Sequence, residues 1–317
     1  MSDPGSRHPS LCVVVVNWNG RAVLEDCLRS LMDSGYPDLR VIMVDNASSD
    51  TSVAYTRKRF PTVEIMETGA NLRWAGGNNH ALQALLDEGW PQEHVLLLNN
   101  DTIVPQGSLE RLTAAVADDP AAWLATPRIV YADDPGRAWY DGGLVGTWSG
   151  WVRHQGIRKL AGRLPVDNRH VEYGTGCALL VTRAAVDHCG LLDTDFHFYG
   201  EDADYCLRVR DAGGQTLHVP RSVILHKVSA TLGVASPAKV YLRSRSHVRL
   251  LRRHWRPYRW PVLVPSQAGY LGGHAAWHLW HGRPATALAL LQGVLDEWQG
   301  RGTMRGEVDS AAGRVLI

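Results

Sequence analysis

The chain lacks the cysteine pattern of a stapled or zinc-bound fold. Its five cysteines, Cys12, Cys27, Cys177, Cys189 and Cys206, are odd in number and widely spaced, with no C-x-x-C pair. That excludes a disulfide framework and predicts reduced thiols in a cytoplasmic protein. No secretory leader is expected either, because Met1 to Ser10 is polar and has no apolar run before a cleavage site. Charge of one sign is not in excess: 33 Lys+Arg against 32 Asp+Glu leaves +1, too little to draw nucleic acid to the surface at large. Phenylalanine is scarce, at 3 against 12 Trp. Trp joins a flat apolar face to an N–H donor, a pairing suited to sugars and interfaces. There is no internal repeat. The signatures G-x-G-x-x-G, G-x-x-x-x-G-K-[ST] and G-x-S-x-G are absent as well, which removes the Rossmann dinucleotide site, the P-loop and the nucleophile elbow.

What is present is globular. Hydrophobic residues make up 45% and charged residues 21% of 317, enough for one large domain or two smaller ones. Leu11–Val16 is a continuous apolar, largely β-branched run and Arg40–Val44 is another from Val41 on, the mark of strands buried on both faces. Val63–Met66 and Val95–Leu98 read as further strands. Helical patterns lie between them: one opened by Asn19 with Leu24, Cys27, Leu28 and Leu31 on one face, one capped by Ser49 and Asp50 and running to about Phe60, and one over Gly76–Leu86. This alternation predicts an α/β fold with a doubly wound, mostly parallel sheet. Further along, Ala132 to Glu172 reads as loops and short strands with Trp139, Trp148 and Trp151. Tyr173–Thr182 reads as a strand entered through a glycine turn, and Thr216–Val219 and Val223–Leu225 as two short ones.

Ligands of open α/β sheets sit beyond the carboxyl ends of the strands. The polar groups there are Asn17-Trp18-Asn19, Asp45-Asn46 and Asn99-Asn100-Asp101. Three such clusters at successive strand ends predict one shared crevice, although Asn and Asp also end strands for purely local reasons. Asp101 is placed for a hard divalent cation, and His226, after the last strand, is placed to join it. Asp45 can accept from a ribose hydroxyl or a base N–H. Asn71 to Asn79, a glycine-containing loop opening a helix, can offer backbone N–H groups to a diphosphate. Gly200-Glu201-Asp202 precedes a helix, and one of the two carboxylates can serve as general base toward an acceptor hydroxyl; simple charge complementarity at a helix start is the plainer reading. Asp204 and Arg208, four apart, suit a helix-supporting pair.

These pieces, in this order and spacing, resemble an inverting glycosyltransferase of family 2, in its rhamnosyltransferase-like branch. The resemblance runs from Leu11 to Ser229 through Val15–Asn19, Val44–Asp50, Asn71–Asn79, Leu97–Asp101, Gly174–Ala178, Gly190–Asp193, Tyr199–Asp204, His226 and Ser229. It implies a GT-A fold with a catalytic domain over 1–232 (a nucleotide-sugar half at about 1–105, an acceptor half at about 106–232) and a helical region over 233–317. It implies a dTDP- or UDP-linked sugar donor, dTDP-rhamnose among the candidates. Asn17, Asn19, Asp45, Asn71, Gly77, Asn78, Asn100 and Asp101 then bind the nucleotide sugar, Trp148, Gly176 and Glu201 lie on the acceptor side, and Asp202 matches the family's base. Mg²⁺ or Mn²⁺ would sit on Asp101 with His226. Asn99 stands where the family's D-x-D motif has its first acid, leaving one carboxylate fewer for the metal.

The acceptor hydroxyl belongs to a glycan, a lipid-linked sugar or a small-molecule aglycone, and no nucleic acid partner is expected. Two rivals stay open at this point: a nucleotidyltransferase acting on sugar phosphates, and a non-catalytic carbohydrate-binding module. Beyond Gly233 an arginine run from Arg243 to Arg259 leads into Trp260–His281, which holds no Asp, Glu, Lys or Arg. Its prolines, glycines and histidines make a membrane span the weakest reading. Helices packed on the catalytic domain or pairing two copies, and a peripheral helix at the inner face of the membrane, are the readings it leaves.

Overall fold

The structure is a computed structural model and describes residues 8–196, 199–228 and 236–301. It divides into two compact units: residues 8–144, 153–193 and 205–228 form the first, and 145–152, the described part of 194–204, and 236–301 form the second. Ser229, the boundary near Gly233 and residues 197–198 of the Phe196–Asp204 segment lie outside the described residues.

The first unit begins with β1 (Leu11–Asn17), α1 (Arg21–Met32), β2 (Leu39–Asp45), α2 (Ser52–Arg59), β3 (Glu64–Glu67), α3 (Arg73–Asp87) and β4 (His94–Asn99). It continues through β5 (Thr102–Ile103), α4 (Ser108–Ala117), β6 (Ala122–Tyr131), β7 (Ala138–Tyr140), β8 (Gly143–Val145), β9 (Val152–His154) and β10 (Arg169–Val171). Then come β11 (Ala178–Thr182), α5 (Arg183–Cys189), α6 (Glu201–Asp211), which starts in the second unit, and β12 (Gln215–His226). The main sheet is ordered β10-β12-β6-β11-β4-β1-β2-β3, with β5 on β12 and β7 on β6.

Strands β4, β1, β2 and β3 are parallel, as helix crossovers between successive strands require. Val13, Val15, Val41, Met43, Leu96 and Leu98 share one core with Leu24, Cys27, Leu28 and Leu31 of α1. Those are the four helix positions expected from the sequence. Alternate strand residues such as Val14, Ile42 and Leu97 are equally buried, and α3 packs on β1 and β2. Burial on both faces explains the unbroken apolar runs.

Three local expectations change. The strand expected over Tyr173–Thr182 begins only at Ala178. The glycine turn expected at its entry takes up the residues before it, with Thr175 O accepting from Ala178 N at 3.2 Å. That strand, β11, is antiparallel to both β4 and β6, so the sheet is mixed at its centre. The two strands expected at Thr216–Val219 and Val223–Leu225 are one, β12, with an irregularity in its pairing to β6 between Val219 and Val223. Pro220 lies in that interval and has no N–H to give the ladder. Ser222 and Ser108 each donate a side-chain bond to the backbone beside the other, to Ser108 O at 2.8 Å and Val223 O at 2.7 Å, which holds the strand to α4. At α2 the cap comes from Asp50 alone: its Oδ1 accepts from Ser52 N at 2.9 Å, and its Oδ2 from Arg21 N at 3.0 Å, so one carboxylate serves the starts of two helices.

The second unit holds α7 (Pro237–His254), α8 (Trp260–Trp280) and α9 (Pro284–Trp298). Helix α7 starts at Ser236, whose hydroxyl accepts from Lys239 N, with Pro237 in the first turn. Helices α7 and α9 pack along one another around a buried Arg245–Glu297 pair at 3.0 Å. Gly293 lets them close, since a Cβ there would lie 2.4 Å from Tyr241 O.

Candidate active site

Three strand ends are joined by hydrogen bonds. Val16 pairs with Asn99, and Asn17 with Asp45, across the parallel ladder. Asn17 is fully buried. Its Nδ2 lies 3.2 Å from Asp45 Oδ1, and its Oδ1 accepts from Asn100 Nδ2 at 3.0 Å. Asp45, 2% exposed, also takes Ser48 N at 2.8 Å on Oδ2. Asn17, Asp45 and Asn100 therefore hold one another as a bonded floor at the strand ends. Asn19 shapes its edge: at φ 51 it bends left-handed, and its Oδ1 accepts from Ser49 N at 2.7 Å. Sequence reading passed over Gly20, where a Cβ would stand 2.3 Å from both Asn100 Nδ2 and Asn17 Oδ1.

Beside this floor, Asp101 Oδ1 lies 3.2 Å from His226 Nε2. Both side chains are mostly buried, at 16% and 10% exposure. Burial works against a charge on His226, but neighbouring Cys177 and Asp101 outweigh it and hold its pKa well above the ordinary histidine value. Trp139 meets the imidazole edge-on with ring centroids 4.7 Å apart. Trp74 donates Nε1 to Asn99 Oδ1 at 3.0 Å, which fixes the residue standing at the first acidic position of the family motif. Neither Trp was singled out from the sequence for this role.

A divalent cation fits the donor set here as an open site. Among the described residues no three His, Cys, Asp or Glu side chains gather into a closed cage. One carboxylate oxygen, and one imidazole nitrogen once His226 gives up its proton, leave most of a hard cation's coordination to diphosphate oxygens and water.

The loop at 71–79 is built on local bonds. Asn71 Oδ1 accepts from Arg73 N at 2.9 Å, and Arg73 takes φ 62 before α3 begins. Asn78, 1% exposed, donates to Trp74 O at 2.9 Å, while its buried Oδ1 lacks a hydrogen-bond partner. Gly77 faces Val16, where a Cβ would come within 2.8 Å of Cγ1. Gly176 lies under the Trp74 ring, where a Cβ would meet Cζ2 at 3.0 Å. Close approach of backbone to ring is the reason for glycine there.

The remaining singled-out residues lie in the second unit. Glu201 and Asp202 open α6 after Tyr199 at φ 67 and Gly200 at φ 95. Burial, then Asp202 alongside, pushes the Glu201 carboxyl up to about 8, so it carries its proton at neutral pH. Asp202 accepts from Ala203 N at 2.8 Å. Asp204 is fully buried and faces His254 Nε2 at 2.9 Å and Arg253 Nε at 3.4 Å. Trp148 is 52% exposed with the Arg259 guanidinium 5.9 Å from its ring.

Comparison with known proteins identifies the class. The profile of glycosyltransferase-like family 2 matches residues 8–249. The chain belongs to this family and is a glycosyltransferase. Membership sets aside the nucleotidyltransferase and binding-module readings. An N-acetylglucosaminyl-diphospho-decaprenol L-rhamnosyltransferase of Mycobacterium tuberculosis is 28% identical over 277 residues, covering 80% of this chain and 89% of that protein. The low-salt glycan biosynthesis hexosyltransferase Agl10 of Haloferax volcanii is 22% identical over 209 residues, 63% of this chain and 61% of its own. Among solved structures, the mannosyltransferase PcManGT from Pyrobaculum calidifontis, in complex with GDP-Man and Mn²⁺, superposes with a TM-score of 0.58 at 17% identity over 95% of this chain and 90% of that one. GalNAc-T7 with UDP, GalNAc and Mn²⁺ gives 0.59 at 15% identity over 81% of this chain, which spans half the length of that structure. The GT-A fold is thus the fold of this family 2 glycosyltransferase.

Proposed function

We propose that the enzyme moves a sugar from a nucleoside-diphosphate donor to an acceptor hydroxyl with inversion at the anomeric carbon. The observation that carries this reading is the bonded floor of Asn17, Asp45 and Asn100 with the Asp101–His226 pair beside it. Asp45 and Asn17 would orient the nucleoside. Asp101 and His226 would hold Mg²⁺ or Mn²⁺, which when bound offsets charge on the departing diphosphate. Neutral Glu201 would offer a proton donor to an acceptor oxygen. Asp202, assigned from its sequence motif, would take the acceptor O–H proton as that oxygen forms its bond to the anomeric carbon. The bond from that carbon to the diphosphate oxygen breaks in the same step, and its electron pair leaves with the nucleotide. One base and in-line attack give inversion with no glycosyl-enzyme intermediate, the logic that separates inverting from retaining hydrolases.

The relation to a rhamnosyltransferase that acts on a polyprenyl-diphosphate sugar favours a dTDP-deoxyhexose donor and a lipid-linked acceptor. The five free thiols, four of them buried, suit the cytoplasm. The test incubates the protein with dTDP-, UDP- and GDP-sugars, with and without Mn²⁺ and a lipid-diphosphate-sugar acceptor, and measures nucleoside diphosphate released and product stereochemistry. Acceptor-stimulated release with an inverted linkage is expected. A retained linkage, or no release from any donor, overturns the reading.

A further inference from the structure

The near-neutral chain is strongly polarised. Residues 236–301 hold ten of the 33 Lys and Arg but only two of the 32 acids, Asp296 and Glu297. Both acids are already engaged: Glu297 takes Arg245 and Arg249, and Asp296 takes the Tyr241 hydroxyl and Arg301. Arg249 also meets Asp195 and Arg253 meets Asp204, both outside the segment, which still leaves it with more cations than acidic partners.

The same segment leaves an apolar face uncovered. Helix α8 has no Asp, Glu, Lys or Arg, and only Leu263, Gln267 and His278 on it are buried. Trp280 is 87% exposed, with Trp277 and Leu279 exposed beside it. On α9, Leu288, Leu291, Leu295 and Trp298 form one outward stripe, each about half exposed, while Leu290, Gly293 and Glu297 face inward. Arginines stand at the tryptophans: Arg252 lies 5.7 Å from the Trp298 ring and Arg283 lies 5.6 Å from Trp277. Exposed apolar surface on this scale marks an interaction site. Indole and guanidinium side by side is the chemistry of a headgroup boundary.

We infer that the α8–α9 face docks on an anionic phospholipid bilayer, lying in the interface rather than crossing it. Among the described residues no helix is long and apolar enough to cross, and Pro265 and three glycines keep α8 below that mark. A second copy is the poorer occupant, because it would bring two cationic segments together. The inference stands apart from the assigned donor and acceptor, since its readout is vesicle binding and not turnover.

The experiment sediments the full chain with phosphatidylcholine vesicles and with vesicles of phosphatidylcholine mixed with phosphatidylglycerol. Binding to the mixed vesicles should be at least about tenfold stronger and should weaken as salt rises. The variant Leu291→Glu/Leu295→Glu should lose about tenfold or more of that binding, while keeping its circular dichroism and melting temperature. If that variant misfolds, quenching of wild-type tryptophan fluorescence by brominated lipids in mixed vesicles supplies the same answer. No sedimentation or quenching with mixed vesicles overturns the inference. So does equal binding by a folded variant, or a concentration-dependent dimer that the variant abolishes while vesicle binding is absent.

Discussion

Asp101 and His226 face each other at 3.2 Å, from the end of the β4 connection and the end of β12. The pair is mostly buried and can offer a cation one oxygen, and one nitrogen once the imidazole is neutral. Asp101→Ala should lower kcat/KM by at least about 100-fold, the scale of several kcal/mol of lost charge stabilisation. Manganese titration followed by electron paramagnetic resonance, with nucleoside diphosphate present, should show the ion no longer retained. Unchanged retention would remove Asp101 from the metal set.

Asp202→Asn should lower kcat by about 10²- to 10⁴-fold, the usual contribution of a positioned base. Donor affinity, read by calorimetry, should be unchanged, because the proton moves from the acceptor. Near-wild-type turnover would move the base elsewhere.

Gly20→Ala places a methyl 2.3 Å from Asn17 Oδ1 and Asn100 Nδ2. The bond between those two amides must yield or the turn must shift. We expect a stability loss of about 1–3 kcal/mol, as for overpacking, measured by urea unfolding. Donor binding should weaken beyond that, because Asn17 also holds Asp45.

Asp50→Ala removes the acceptor at the starts of both α1 and α2. A single cap is worth about 1 kcal/mol, so a loss near 2 kcal/mol is expected by the same unfolding measurement. A loss no larger than a surface substitution would mean that solvent replaces the carboxylate at both helices.

His94, at the start of β4, has both ring nitrogens buried without hydrogen-bond partners. Burial holds its pKa below the usual 6.5. The unfolded chain therefore takes up a proton near that pH which the folded protein resists, and stability falls as pH drops below about 6.5. His94→Leu should flatten the change in melting temperature between neutral and mildly acid pH. A second acid step comes lower. Burial would raise the Asp141 pKa, but His218 and Arg128, 3.1 and 2.7 Å away, hold it below 3.8. That contribution persists above 3.8 and fades as pH falls through the depressed value.

Much of this architecture was legible in the residues. Continuous runs such as Leu11–Val16 and Arg40–Val44 can only be hidden on both faces, and the polar residues that end them had to lie at the ligand edge of a parallel sheet. The strand-end clusters at Asn17, Asp45 and Asn100 therefore emerged before any coordinates. Less legible was the role of Asn19 and Asn71, whose side chains close their own loops on backbone N–H groups. Asn and Asp serve turns and ligands with the same atoms, so composition does not separate the two uses.

The amino-acid order by itself determined the alternating strands and helices, the helix face at Leu24, Cys27, Leu28 and Leu31, and the family motifs, because periodicity and short-range spacing are local properties of a chain. Only the tertiary structure decided that β11 enters antiparallel between β4 and β6, that β12 continues past Pro220, and that Trp74 and Trp139 brace Asn99 and His226. Those facts depend on which distant segments pair, and pairing is settled by the packing of the whole sheet rather than by any one stretch of it.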